Sequence, residues 1–109
     1  MKIRADSKDG ILRIRLLGEL DHHAAAGTLR EIDALLDRFL PRDCALDLSE
    51  LVFMDSSGIA LILRLHKRME ALDGRLAVMD PADQPLRVLD ASGIDRLVRV
   101  VSTVKEVVR

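Results

Sequence analysis

Leu51-Val52-Phe53-Met54-Asp55-Ser56-Ser57-Gly58-Ile59-Ala60 is the stretch from which the rest of the chain takes its meaning. An apolar run ends in an acid, two hydroxyls and a glycine, and a helical pattern begins directly after it. Hydroxyls at a helix start lie beside backbone N–H groups that have no intrahelical partner, where the helix dipole favours negative charge. Two readings follow: the serines cap the helix, or one of them accepts a phosphate. On pattern alone, capping is the commoner role for serines so placed.

Working outward, Ile59, Ile62, Leu63, His66, Met69 and Leu72 recur at spacings of three and four, and Asp73-Gly74 ends the pattern. Lys67, Arg68 and Glu70 lie off that stripe. Upstream, Cys44-Ala45-Leu46-Asp47-Leu48 alternates as a core strand with Cys44, Leu46 and Leu48 inward. Cys44 reads as a small buried hydrophobe. Lys2 to Ala5 forms a short strand, Asp9-Gly10 is a hairpin turn, and Ile11 to Leu17 is a strand with Leu12, Ile14 and Leu16 on one face. Gly18 to His23 reads as its exit loop. Asp21 is an N-cap candidate, and Thr28-Leu29-Arg30-Glu31 offers a second possible helix start. Leu29, Ile32, Leu36 and Phe39 or Leu40 continue that helix until Pro41 stops it.

Downstream, Arg75 to Met79 is another strand and Asp80-Pro81 turns out of it. Asp83-Gln84-Pro85 starts a helix that buries Leu86 and Leu89 and ends at Ser92-Gly93. Leu97 to Val101 is a last strand, and Thr103-Val104-Lys105-Glu106 opens a short C-terminal helix. The expected order is β-β-α-β-α-β-α-β-α over one domain, residues 1–109. The fold class is α/β, a mostly parallel mixed sheet with right-handed crossovers and one antiparallel hairpin.

Composition narrows the functions. Lys and Arg number 17 against 18 Asp and Glu, with no basic cluster, and the only aromatics are Phe39 and Phe53. A nucleic-acid partner is therefore not expected, since neither a basic face nor a stacking platform is present. A single cysteine permits neither an internal disulfide nor a Cys-based zinc site. Met1 to Asp6 lacks the apolar core of a signal peptide and no apolar run is long enough to span a bilayer, so the expected address is the cytoplasm, with no membrane partner.

In an α/β sheet, loops leaving the C-terminal ends of parallel strands share one edge. The loop with Glu19 and Asp21 should therefore neighbour the loop with Asp55, Ser56 and Ser57. His22 and His23 lie close by in sequence, but Asp-Ser-Ser-Gly is not the Gly-x-Ser-x-Gly elbow of a serine hydrolase. There is no Gly-rich phosphate loop with a lysine. Adjacent histidines diverge and rarely ligate one ion together, so no metal is expected. Asp90-Ala91-Ser92-Gly93-Ile94 repeats the serine motif as text, but it ends a helix instead of starting one.

Gly18-Glu19-Leu20-Asp21-His22-His23, Asp47-Leu48-Ser49 and Phe53-Met54-Asp55-Ser56-Ser57-Gly58-Ile59 together resemble the anti-sigma-factor antagonists, the stand-alone STAS-domain proteins. Within them the resemblance is to the sporulation type that acts on sigma F. Ala91-Ser92-Gly93-Ile94 matches that group's helix-ending segment, and the likeness covers almost the whole chain. It implies a single STAS-type domain that is a phosphorylation-controlled binding module, not an enzyme, with no cofactor. The unphosphorylated form of such a protein binds an anti-sigma factor that is also a serine kinase of the GHKL type, and the sigma factor is released. The kinase phosphorylates the serine directly after the loop aspartate, here Ser56, which ends binding, and a PP2C-type phosphatase resets the protein. The resemblance further implies a partner-binding surface of Glu19, Asp21, His22, Asp55, Ser56, Ser57, Gly58 and Ile59. An alternative within the same fold is an adaptor subunit of a lipid ABC transporter or of a signalling scaffold.

Overall fold

The hairpin expected at Asp9-Gly10 makes the first strand pairing in a computed structural model that describes residues 1–103. Both residues take positive φ (55° and 79°), the mirror-image turn whose twist matches two antiparallel strands. It joins β1 (Lys2–Lys8) to β2 (Ile11–Leu20) with Lys8 opposite Ile11. Then come α1 (His22–Phe39), β3 (Asp43–Asp47), β4 (Leu51–Met54), α2 (Ser56–Ala71), β5 (Leu76–Met79), α3 (Asp83–Ser92), a 3-10 turn at Ile94–Arg96 and β6 (Arg99–Val101).

The sheet runs β1-β2-β3-β5-β6, antiparallel only at the hairpin, and β4 pairs with the far half of β2. Each crossover steps in the same direction across the sheet, so right-handed connections place all three helices on one face. Contacts of α1 with α2 and of α2 with α3 agree with that layering. Leu12, Ile14, Leu16 and Leu20 from β2 meet Ile32 and Leu36 from α1 and Ile62, Leu65 and Met69 from α2 in one buried core. No described helix is long and apolar enough to cross a membrane.

The α/β class and the mixed, mostly parallel sheet are as the sequence implied, but several local readings change. The expected exit loop at Gly18 is strand as far as Leu20, and α1 starts at His22 with Asp21 as its cap, so Thr28 is an interior, buried residue. Leu51–Met54 is a strand in its own right, one more than expected, because it carries the line of β3 onward beside β2. The buried face of α2 is Gly58, Leu61, Ile62, Leu65 and Met69, whereas Leu72 is exposed and His66 only partly buried. Apolar residues flank that helix on two sides, so two stripes satisfy the helical period, and packing against β4 selects one. On α3 the buried residues are Pro85 and Leu89, and Leu86 is exposed. The last strand begins only at Arg99, because Ile94–Arg96 is taken by the 3-10 turn. The helix expected from Thr103 lies, beyond that residue, outside the described residues.

β3 is central, flanked by β2 and β5, so Ala45 and Asp47 are buried along with Cys44 and Leu46. Burial pushes the Cys44 thiol up to about 12, which keeps it protonated and inert. Asp47 is only 5% exposed and is held by the Ser49 amide (2.9 Å) and by Arg15 Nε (3.1 Å). Burial alone raises a carboxyl pKa, but here the hydrogen bonds from Ser49 and Arg15 outweigh it and hold Asp47 below its ordinary value.

A folded pKa below the unfolded one stabilises the protein above the unfolded value, about 3.9, and that contribution is lost as pH falls through the lower folded value. The stability difference between the native protein and Asp47→Asn should therefore be constant from about pH 5 to 7 and shrink below about pH 4. Urea unfolding of the two proteins across that range checks this; an unchanged gap at the acid end refutes it.

Candidate functional site

β2 and β4 run parallel and in register at their ends, with Leu20 opposite Met54 and the Asp55 amide donating to Leu20 O (3.3 Å). The next residue on each strand is an aspartate, and each aspartate caps a helix. Asp21 Oδ1 accepts from the Ala24 amide (2.9 Å) at the start of α1, and Asp55 Oδ1 accepts from the Ser57 amide (2.8 Å) at the start of α2. Two helix N-termini thus stand side by side at the C-terminal edge of the sheet, with two carboxylates between them. This is the juxtaposition expected from the topology.

The cap of α2 is Asp55, not a serine, so the capping role weighed for the serines falls to the residue before them. Ser56 is the first helical residue and is exposed; its hydroxyl is not used in the cap. The two serines face different surroundings. Ser56 lines a groove of about 610 Å³ between α2 and α3 with Ile59, Gln84, Arg87, Val88, Ala91 and Ser92. Ser57 lines a smaller groove of about 280 Å³ between α1 and α2 with His22, Ala25, Leu29 and Arg64.

Gly58 lies directly against the Met54 side chain at the end of β4. A Cβ there would overlap Met54 Cγ and Sδ, inside any allowed contact. The lack of a side chain therefore lets the first turn of α2 lie directly on Met54, whose own side chain is fully buried.

The structure accordingly brings Asp21 and His22 against the turn that runs from Asp55 to Ile59. Glu19 does not join them on that face: it is exposed and alternates with the buried Leu20, so it projects from the opposite side of the sheet. His22 and His23 rings meet edge to face at 6.0 Å. Among the described residues no group of three or more His, Cys, Asp or Glu converges on a point. Ser92 ends α3 as expected, with Oγ donating to Leu89 O (2.8 Å) and accepting from the Ile94 amide (3.2 Å), and Gly93 follows at φ 72°.

Four neighbours of the site were not evident from sequence. Gln84 and Arg87 reach it from α3, where their order in the chain reads only as a helix start. Val52 and Phe53 are exposed apolar residues just before the Asp55 to Gly58 turn. An apolar run ending at a polar turn reads as core, and the middle of this one is at the surface.

The aspartate caps have a measurable worth. Asp55→Ala should lower stability by about 1 kcal/mol, while Asp55→Asn, which keeps an acceptor, should stay within a few tenths. Urea unfolding midpoints at neutral pH decide it, and equal losses in both variants would show that charge, not capping, is what matters there.

Comparison with known proteins agrees with this geometry. The STAS domain model matches residues 2–107. The Anti-sigma F factor antagonist of Paenibacillus polymyxa is 34% identical over 100 residues, covering 92% of this chain and 86% of that protein. Among solved structures, the anti-sigma factor antagonist SpoIIAA in its unphosphorylated form superposes with a TM-score of 0.78 at 26% identity, over 97% of this chain and 93% of that one. The phosphorylated form of SpoIIAA, the Bacillus cell fate determinant, gives 0.69 at 27% identity, over 99% and 100%.

Proposed function

The chain belongs to the STAS-domain family, among the anti-sigma-factor antagonists, and from that premise we propose that it is a partner switch operated at Ser56. In its unphosphorylated form it binds an anti-sigma factor that is also a serine kinase of the GHKL type, which frees the sigma factor. Transfer of a phosphoryl group to Ser56 ends that binding, and a PP2C-type phosphatase restores it. The protein itself acts as the kinase's substrate and binding partner in the cytoplasm. Its partner surface is the turn from Asp55 to Ile59 together with Asp21 and His22, without Glu19, which projects from the opposite side of the sheet.

The observation that carries this reading is the placement of Ser56. It is the exposed first residue of α2, directly after the Asp55 cap, its hydroxyl lies outside that cap, and it opens onto the groove between α2 and α3. That a relative of this fold has been solved both with and without phosphate supports it.

The physical chemistry is favourable to a switch. Phosphorylation adds about −1.5 to −2 charge. Within the free protein, backbone N–H groups of the first turn can receive it, and Arg87 lines the same groove. Inside a docked interface the same charge sits next to the Asp55 carboxylate, at the sheet edge shared with Asp21, and must be stripped of water, which opposes binding. The domain has no need to refold.

Incubation with the anti-sigma factor kinase encoded nearest the gene, with ATP, followed by mass-spectrometric mapping, tests the assignment. A single phosphate on Ser56 is expected. Modification at Ser57, or at neither serine, removes the proposal.

A further inference from the structure

β5 ends at Met79, and the chain then leaves the sheet through Asp80 to Ala82 to begin α3. β4 extends beyond that point, so it has β2 on one side and no strand on the other. Because the Asp55 amide donates to Leu20 O, the alternation of a strand turns the N–H and C=O of Met54 away from β2. Met54 is 0% exposed, so water cannot serve them. Gln84 does: the Met54 amide donates to Gln84 Oε1 (2.8 Å), and Gln84 Nε2 donates to Met54 O (3.0 Å). One side-chain amide stands in the place of the missing strand.

This clamp acts on the residue directly before Asp55. Met54 also fills the space that a side chain at Gly58 would need, so it is held from α3 and in turn supports the first turn of α2. Both polar ends of Gln84 are engaged by Met54, although the residue lines the groove of Ser56. We infer that Gln84 is a positioning residue: by holding Met54 from α3, it fixes the Asp55 to Gly58 turn and with it the direction in which Ser56 is presented. For phosphoryl transfer this rests on the assignment of Ser56; the hold on the turn does not.

Phosphoryl transfer depends on placement, and displacing a reacting atom by about 1 Å costs on the order of a hundredfold in rate. Docking is spread over a wider surface and is less sensitive to one turn. Gln84→Met keeps the length and removes both hydrogen bonds; Gln84→Glu keeps the acceptor for the Met54 amide. In Gln84→Met, amide hydrogen exchange followed by NMR should accelerate about tenfold or more at Met54 and at Ser57, with β3 amides unchanged. Phosphorylation by the kinase encoded nearest the gene should show kcat lower by about ten- to a hundredfold and KM within about threefold, with Gln84→Glu intermediate.

Faster exchange at Met54 alone, with Ser57 and kcat as in the native protein, overturns the inference and leaves Gln84 as the partner of an edge strand only. If the native protein takes no phosphate at Ser56, the switch assignment fails, and exchange at Ser57 alone decides the role of Gln84. Should Gln84→Met fail to fold, the same exchange comparison is read from Gln84→Glu.

Discussion

Replacing Ser56 by aspartate is expected to weaken binding to the anti-sigma factor by more than about a hundredfold, while Ser56→Ala leaves affinity within about threefold. The alanine variant removes an exposed hydroxyl that the α2 cap does not use, so little changes in the free protein or at the interface. The aspartate adds a full negative charge at the first residue of α2, directly after the Asp55 carboxylate and at the same sheet edge as Asp21. In the free protein that charge is accommodated, because it faces water and a helix N-terminus. In the complex it loses water among like charges, and a penalty of about 3 kcal/mol corresponds to more than a hundredfold in the dissociation constant. Isothermal titration of the three proteins against the same purified anti-sigma factor makes the comparison. Equal affinities for the alanine and aspartate variants would mean that charge at Ser56 does not gate the partner.

The second large effect is steric. Gly58→Ala ordinarily gains helix propensity, by up to about 1 kcal/mol. Here the new methyl overlaps Met54 Cγ and lies 3.3 Å from Leu20 Cδ2, both in the closed core. Overpacking of this kind costs about 1–3 kcal/mol and should exceed the propensity gain. A fall in Tm of about 4–8 °C per kcal/mol is expected for a domain near this size. The cause can be isolated, because the conflict lies with one side chain. In a Met54→Ala background, Gly58→Ala should be neutral or stabilising, a coupling that a double-mutant cycle reads directly. Additive losses in the cycle would place the strain elsewhere.

How much of this was legible in the chain depends on where the partner of each residue lies. β2 could be read because one of its faces is wholly buried, so Leu12, Ile14 and Leu16 alternate with Arg13 and Arg15. The Asp21 cap was legible because capping is local chemistry, and the helix start after Asp55 was too, although its cap was read onto the serines and belongs to Asp55. β4 was not: Leu51 and Met54 are buried and the two apolar residues between them exposed, a spacing of three that breaks the alternation of a strand. The face of α2 was ambiguous because Ile59, Leu61, Ile62, Leu63 and Leu65 leave two apolar sides, and only the close approach of Gly58 to Met54 chooses between them. Asp47 looked like the wet side of a strand; the strands on both flanks and Arg15 from β2 make it a buried anion. Gln84 was beyond reach for a simpler reason. Its partner is a backbone group 30 residues earlier, and backbone partners leave no trace in side-chain pattern.

The line from β3 into β4 also has a length that matters apart from its composition. Arg15 faces Asp47 and Leu20 faces Met54, so β2 advances five residues while its neighbour advances seven. The two surplus residues are absorbed around Leu48 to Val52, where the register shifts. Deleting Ser49 or Glu50, which lie between β3 and β4, would leave both strands whole yet turn Met54 outward and with it reorient the start of α2, since side chains alternate singly along a strand. Deleting two would restore the alternation and pull the Asp55 to Gly58 turn closer to the sheet. The site is therefore addressed by counting as well as by chemistry, and single-residue insertions and deletions in this short segment should be tolerated far less than substitutions at the same positions.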